Sequence, residues 1–208
     1  MSSSTTKADP GESLLNPQGH RVPHELQHEG FAVRRQQPDD NARDYDNVMS
    51  SKDKLRTWSD STWPEDDFTA EANAQDLAEH IDEHERDLAY GFSILTPDEH
   101  AVLGSLYLLP VTSLLDDYHA DEAARALLAQ HDVRVEYWLR DGTASDLELA
   151  LIRTVVAWLE RAWWFERPVF GSRRGMHEQR RAYERAGLRP IARLESKDGS
   201  RVFHFHAR

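Results

Sequence analysis

Several groupings of residues in this chain have the types and spacing to do chemistry. His80 and His84 stand one helical turn apart, a spacing that can hold a divalent metal ion. His80 is followed by Ile81, not by the glutamate that completes a zinc-peptidase motif. No third ligand is fixed by spacing, so no metal is expected. The pair reads as flanking residues of a packed helix; lining a site, either could act as a base near neutral pH. His204 and His206 share one face of the last strand and read as a polar strand face. Arg173 and Arg174 are adjacent guanidinium groups that can bind phosphate, or can balance an acidic surface. Ser145-Asp146-Leu147-Glu148 has the spacing of a helix capping box. Trp158, Trp163, Trp164 and Phe165 cluster for core packing or a subunit contact, which leaves a homodimer open.

Other chemistries are excluded by what is missing. The 208 residues contain no cysteine, so disulfides, zinc-thiolate sites and a cysteine nucleophile are ruled out. Asp and Glu number 37 against 25 Lys and Arg, a net charge of -12. A surface this acidic repels phosphate backbones, so no nucleic-acid partner is expected. No apolar window reaches the ~18 residues of a membrane span. Residues 1–16 lack an apolar core of signal-peptide length, which predicts a cytoplasmic protein. No Gly-x-Ser-x-Gly, phosphate-loop or dinucleotide motif occurs.

The elements that position these residues follow from periodicity. Residues 1–27, rich in Ser, Thr, Pro, Gly and His, predict a disordered arm. Residues 30–34 predict a first strand, and residues from Pro38 to about Trp58 a helix. Trp58 to Phe68 reads as a loop. Thr69 caps a second helix over 70–87, with His84 on its inner stripe. Residues 90–95 and 102–109 predict two strands, and 121–130 a short helix. Val133, Val135, Tyr137 and Leu139 alternate with Arg134, Glu136, Trp138 and Arg140, the clearest strand of the chain. Residues 145–164 give the clearest helix. A strand over 167–172, a helix over 177–186 ended by Gly187, and a hairpin over 188–206 complete the chain. This order predicts one α/β domain over 28–208, a mixed (α+β type) sheet covered by helices.

The element order, the stretch Arg181-Ala-Tyr183-Glu-Arg-Ala-Gly187-Leu188, and the segments Met49–Arg56, Trp63-Pro64 and Phe68–Asn73 resemble the GCN5-related N-acetyltransferase (GNAT) superfamily, in an uncharacterised prokaryotic branch. The resemblance spans residues 28–208. It implies a single-domain acyl-CoA N-acyltransferase fold that binds acetyl-CoA where its fourth and fifth strands splay. It also implies transfer of an acetyl group to an amine acceptor, a small molecule or a peptide.

Carried over by position, the resemblance makes Tyr183 the acid that protonates the departing thiolate. Glu136, on the family's fourth strand, becomes a candidate base. Trp138 and Leu139 would hold the pantetheine arm through their backbone, with Arg140, Gly142, Thr143, Ala144 and Ser145 as the phosphate loop, aided by Arg173 and Arg174. The family's loop, Gln/Arg-x-x-Gly-x-Gly/Ala, is degenerate here. Aligned from the following helix, its two glycine positions fall on Asp146 and Glu148. Two carboxylates there repel phosphate, and a capping box over 145–148 would close the helix end. The alternative is therefore a non-catalytic GNAT-like module that binds or assembles without the cofactor.

Overall fold

The computed structural model describes residues 14–115, 118 and 120–208. Eight strands form one sheet in the order β1-β2-β3-β4-β5-β6-β8-β7. These are β1 (Glu25–His28), β2 (Phe31–Arg35), β3 (Tyr90–Leu95), β4 (Val102–Leu109), β5 (Val133–Leu139), β6 (Pro168–Arg173), β7 (Arg189–Glu195) and β8 (Val202–Ala207). Every neighbouring pair is antiparallel except β5 and β6. A parallel pair needs a long crossover, and α5 (Ser145–Ala162) supplies it. The expected mixed sheet in a single domain is what the chain forms.

Both faces of the centre are covered. The alternation along β5 splits its side chains between the faces, and all seven residues are buried. Val133, Val135 and Tyr137 pack with Leu151, Ile152, Val155 and Leu159 of α5, and with Ala182 and Tyr183 of α6 (His177–Arg185). On the other face Trp138 packs with Val48 of α1 (Asn41–Ser50) and Leu55 of α2 (Lys52–Ser59). The third helix on the chain's first half, α3 (Ala70–Glu85), starts at Thr69, whose hydroxyl accepts from the Ala72 N–H at 3.2 Å. A short helix, α4 (Glu122–Leu128), follows β4 within the expected 121–130.

Three expectations change. The first helix is two: Ser51 leaves the helical conformation (φ -118°, ψ 14°) between α1 and α2. Its hydroxyl accepts from the Asp141 N–H at 3.0 Å, which ties the break to the loop after β5. The arm expected over 1–27 contributes an edge strand, β1, and buries Leu15 in the main core; its first 13 residues lie outside the described residues. Leu15 also explains the aromatic cluster: its carbonyl accepts from the Trp164 indole at 3.1 Å, and Trp158, Trp163 and Phe165 interlock with Tyr90 and Phe92. The third change is the start of α5. Ala144, not Ser145, is its N-cap, and no side chain caps it. Glu148 instead accepts from the Tyr137 hydroxyl at 2.8 Å, so the expected capping box does not form. A tyrosine O–H buried beneath the helix must be satisfied, and the Glu148 carboxylate is the group within reach.

Candidate functional site

Strands β5 and β6 pair only from Val133↔Pro168 to Val135↔Phe170. Beyond that the ladder ends, leaving unpaired the stretch from Glu136 on one strand and from Gly171 on the other. Backbone groups left without a ladder partner inside a protein must find other ones. Two do so through α6. The Tyr183 hydroxyl donates to the Gly171 carbonyl at 2.9 Å, and Gln179 Nε2 donates to the Tyr137 carbonyl at 2.8 Å. Both side chains are buried, and Gln179 Oε1 has no hydrogen-bond partner among the described residues.

On the opposite face the gap is spanned by charge. Glu136 is fully buried between two guanidinium groups, Arg134 at 2.7 Å from one oxygen and Arg173 at 2.7 Å from the other. Arg173 also lies over the rings of Trp58 and Phe203, with 4.9 Å and 5.3 Å to the ring centres. Burial alone would raise the Glu136 pKa, but the two arginines outweigh it and hold the carboxyl below its ordinary range. A carboxylate held this way has little affinity for a further proton. Tyr183 shifts the other way. Burial, with Glu136 and Glu148 nearby, pushes its hydroxyl well above its usual value, so it stays protonated.

A cleft of about 590 Å³ opens beside this gap, between the start of α5 and the start of α6. It falls in the size range of small-molecule sites. Gly142, Thr143, Ser145 and Glu148 line one wall, with Gly175, Met176 and Gln179 on the other. Gly142 has φ 78°, a left-handed turn that glycine adopts freely. Thr143 turns the loop back, its N–H at 3.2 Å and its hydroxyl at 2.7 Å from the Arg140 carbonyl. The other wall depends on Gly175. A Cβ there would overlap the Thr57 methyl of α2, so with Thr57 in place glycine leaves the room for α2 over this turn.

The structure brings together Gly142, Thr143 and Ser145 at the cleft, and Glu136 and Tyr183 at the gap beside it. It does not bring Arg173 and Arg174 to the cleft. Arg173 is committed to Glu136, and Arg174 donates to the Gly199 carbonyl at 3.3 Å. Arg140 reaches away to Asp46 at 3.0 Å, and Ala144 is not part of the wall. The Trp138 side chain packs on the far face, its carbonyl oxygen against Gly104, while Leu139 faces the main core. The cations that do line the cleft are Lys54, Arg181 and Arg185. Arg181 and Arg185 are four residues apart on α6 and so share a face. That spacing was readable, but the side of α6 open to solvent was not. Gln179 carried no signal, because its role depends on where β5 and β6 part.

The paired histidines are separated by their burial. His84 is a core residue, ring edge to Tyr90 and Phe92, with its pKa pushed down to about 4, mainly by burial. His80 sits half-buried beside the Tyr107 ring, 5.1 Å between centres. His206 is buried against Tyr183 at 5.3 Å, so the last strand's face is not a solvated one. Among the described residues no group of three or more metal-ligating side chains converges. No described helix is long and apolar enough to cross a membrane.

No family model matches the chain, and no curated protein matches it in sequence. Solved structures do match. The ribosomal L7/L12 α-N-protein acetyltransferase RimL, in complex with coenzyme A, superposes with a TM-score of 0.67 at 14% identity, over 89% of this chain and 97% of that one. The ribosomal-protein-S5-alanine acetyltransferase of Vibrio fischeri gives 0.64 at 16% identity, over 89% and 96%. The microcin C7 self-immunity acetyltransferase MccE, in complex with acetyl-CoA and AMP, gives 0.65 at 10% identity, over 87% and 93%. At these identities the likeness is one of architecture, and on that ground the chain has the GNAT fold.

Proposed function

We propose that the chain is an N-acetyltransferase that moves an acetyl group from acetyl-CoA to an amine, on a small molecule or a peptide. The observation that carries this reading is the open cleft between the starts of α5 and α6, beside the place where β5 and β6 part. With no cap formed by Ser145 and Glu148, the helix end faces that cleft unblocked. Lys54, Arg181 and Arg185 supply positive charge at its rim, matched in number by the carboxylates of Asp141, Glu148 and Glu178. Gln179 Oε1, without a hydrogen-bond partner among the described residues, fits an amide N–H of a pantetheine arm once Gln179 has swung off the Tyr137 carbonyl.

In this reading the acceptor nitrogen attacks the thioester carbonyl carbon. A carbon–nitrogen bond forms, the carbon–sulfur bond breaks, and the thiolate leaves. Tyr183, fully buried behind the cleft wall, is the hydrogen-bond donor for that sulfur once the wall opens and its hydroxyl leaves the Gly171 carbonyl. Glu136 serves as a strut between Arg134 and Arg173, and the proton lost by the acceptor nitrogen passes to solvent water in the open cleft.

A second reading, a non-catalytic binding or assembly module, is favoured by one specific observation. The gap is bridged on both faces, by Gln179 to Tyr137 and by Arg173 to Glu136, and pantetheine must displace Gln179 to reach the strand backbone. Calorimetric titration with acetyl-CoA, with desulfo-coenzyme A as control, separates the two. Micromolar affinity is expected for the enzyme. No heat up to millimolar ligand sinks that reading and leaves the module.

A further inference from the structure

On the α2 side of the sheet, Arg173 closes the gap between β5 and β6 with only part of its guanidinium. Nη1 donates to Glu136 at 2.7 Å, and Nε and Nη2 have no partner among the described residues. The side chain is 14% exposed, so this free edge meets solvent. The rings of Trp58 and Phe203 hold the group in place. Phe203 packs edge-on with Tyr118, 5.8 Å between centres, and Arg201 lies over the Tyr118 ring at 5.3 Å. The Arg201 guanidinium makes no hydrogen bond or ion pair with a described residue. Trp58, Asp60, Arg173 and Arg201 are all half-buried and form the accessible rim of this cluster.

The charges here do not balance. Three guanidinium groups, Arg134, Arg173 and Arg201, lie against the rings of Phe203 and Tyr118. The carboxylates that act on Tyr118 are Asp60 and Glu136. Among the described residues one positive charge is left over, in a chain whose net charge is -12. A guanidinium taken partly out of water without an anion is costly, so the cluster has capacity for one more negative group. The number decides the class of that group. A phosphate dianion would bring two charges beside Glu136 and Asp60, one more than the arginines balance. A carboxylate brings one, and its two oxygens match the Nε and Nη2 edge of one arginine.

We propose that Trp58, Arg173 and Arg201 form a recognition site for an organic carboxylate, and that the acetyl acceptor is an amine that carries one. The acceptor clause rests on the acetyltransferase reading; carboxylate binding does not. The position agrees with both. The donor cleft opens on the α5 and α6 side of the sheet, and Arg173 stands on the α2 side of the same gap. An amine held there by its carboxylate meets the thioester at the gap. Glu136 and the two rings fix the guanidinium in one orientation, so binding costs little side-chain freedom.

The test uses the full chain without acetyl-CoA, with sodium butyrate as probe. Tryptophan fluorescence and thermal unfolding are followed against butyramide and against sodium chloride at matched ionic strength. A saturable response to butyrate alone is expected, with affinity about tenfold weaker in Arg173→Lys, which keeps the charge beside Glu136 and loses the planar edge. Arg201→Gln, at the half-buried rim, should weaken binding about threefold, and it decides if Arg173→Lys does not fold. The proposal is overturned by no saturable response up to about 100 mM. An equal response to butyramide or chloride, unchanged affinity in Arg173→Lys, or tighter binding of inorganic phosphate at pH 8 overturns it too. The acceptor clause is read from thiol release from acetyl-CoA, with pooled amino acids against the pooled amino-acid amides. Release about tenfold faster with the free acids is expected. Release that is equal, favours the amides or is absent overturns that clause. A chain that binds butyrate and ignores acetyl-CoA keeps the carboxylate site and loses the acetyltransferase.

Discussion

Glu136 shows how much of a residue's chemistry is set by its neighbours. A glutamate in the middle of a strand can be a solvated group, a base or half of an ion pair. Here two guanidinium groups hold it, and neither oxygen is exposed. Removing the charge while leaving both arginines buried should cost about 3 kcal/mol or more, the range for breaking a buried pair. Glu136→Gln is therefore expected to lower the unfolding free energy by that amount, measured by urea titration at pH 7. The pH dependence has a definite sign. The carboxyl's folded pKa lies below its unfolded one, so its contribution is complete above the unfolded value. It is lost as pH falls below that value. The variant should lose this part of the acid limb, and an unchanged limb would mean the arginines do not hold the carboxylate in solution.

At the scale of elements, the site depends on how α2 meets the turn between β6 and α6. The break at Ser51 lets α2 change direction, and Thr57 then lands on Gly175. Gly175→Ala puts a methyl where the Thr57 methyl already sits and should destabilise the fold by about 1–3 kcal/mol. Thr57→Ala clears that space, so the double variant should recover most of the loss. A thermodynamic cycle on the four proteins measures the coupling. Additive effects would show that the contact is not made. The helix break itself was not legible. Met49 to Leu55 contains no glycine or proline, and Ser51 is freed by a hydrogen bond to Asp141, ninety residues away. The later helices were legible, because Thr69 and Gly187 mark their ends with local chemistry.

The whole molecule adds a pH response of its own. His84 and His204 are both held neutral in the fold, with pKa values near 4, while unfolded histidine titrates near 6.5. Each depressed histidine makes the unfolded chain take up a proton first. Stability from this source is therefore full above about pH 6.5 and falls as pH drops toward 4. Asp44, raised to about 6, acts in the opposite sense over part of that window. A difference measurement isolates one group. His84→Gln should reduce the slope of stability against pH between 6.5 and 4 by up to about 1.4 kcal/mol per pH unit. Urea unfolding at a series of pH values checks it, and equal slopes for both proteins would show His84 is not buried neutral.

The sequence by itself determined the element order apart from β1 and the break at Ser51, the mixed sheet, and the placing of Tyr183 and Glu136 on their elements. Strand alternation, helical period, caps and turn glycines are local, and the 133–139 alternation and the Thr69 cap act within a few residues. The tertiary structure alone decided what those residues touch. Whether Glu136 meets water or two arginines, and whether Arg173 faces a cleft or a tryptophan, depends on strands that pair across 30 or more residues. The same holds for Ser145, whose cap was displaced because Glu148 had to satisfy a buried tyrosine beneath it. A hydrogen bond or an ion pair is made with whichever partner the fold brings within about 3 Å, and spacing along the chain does not carry that information.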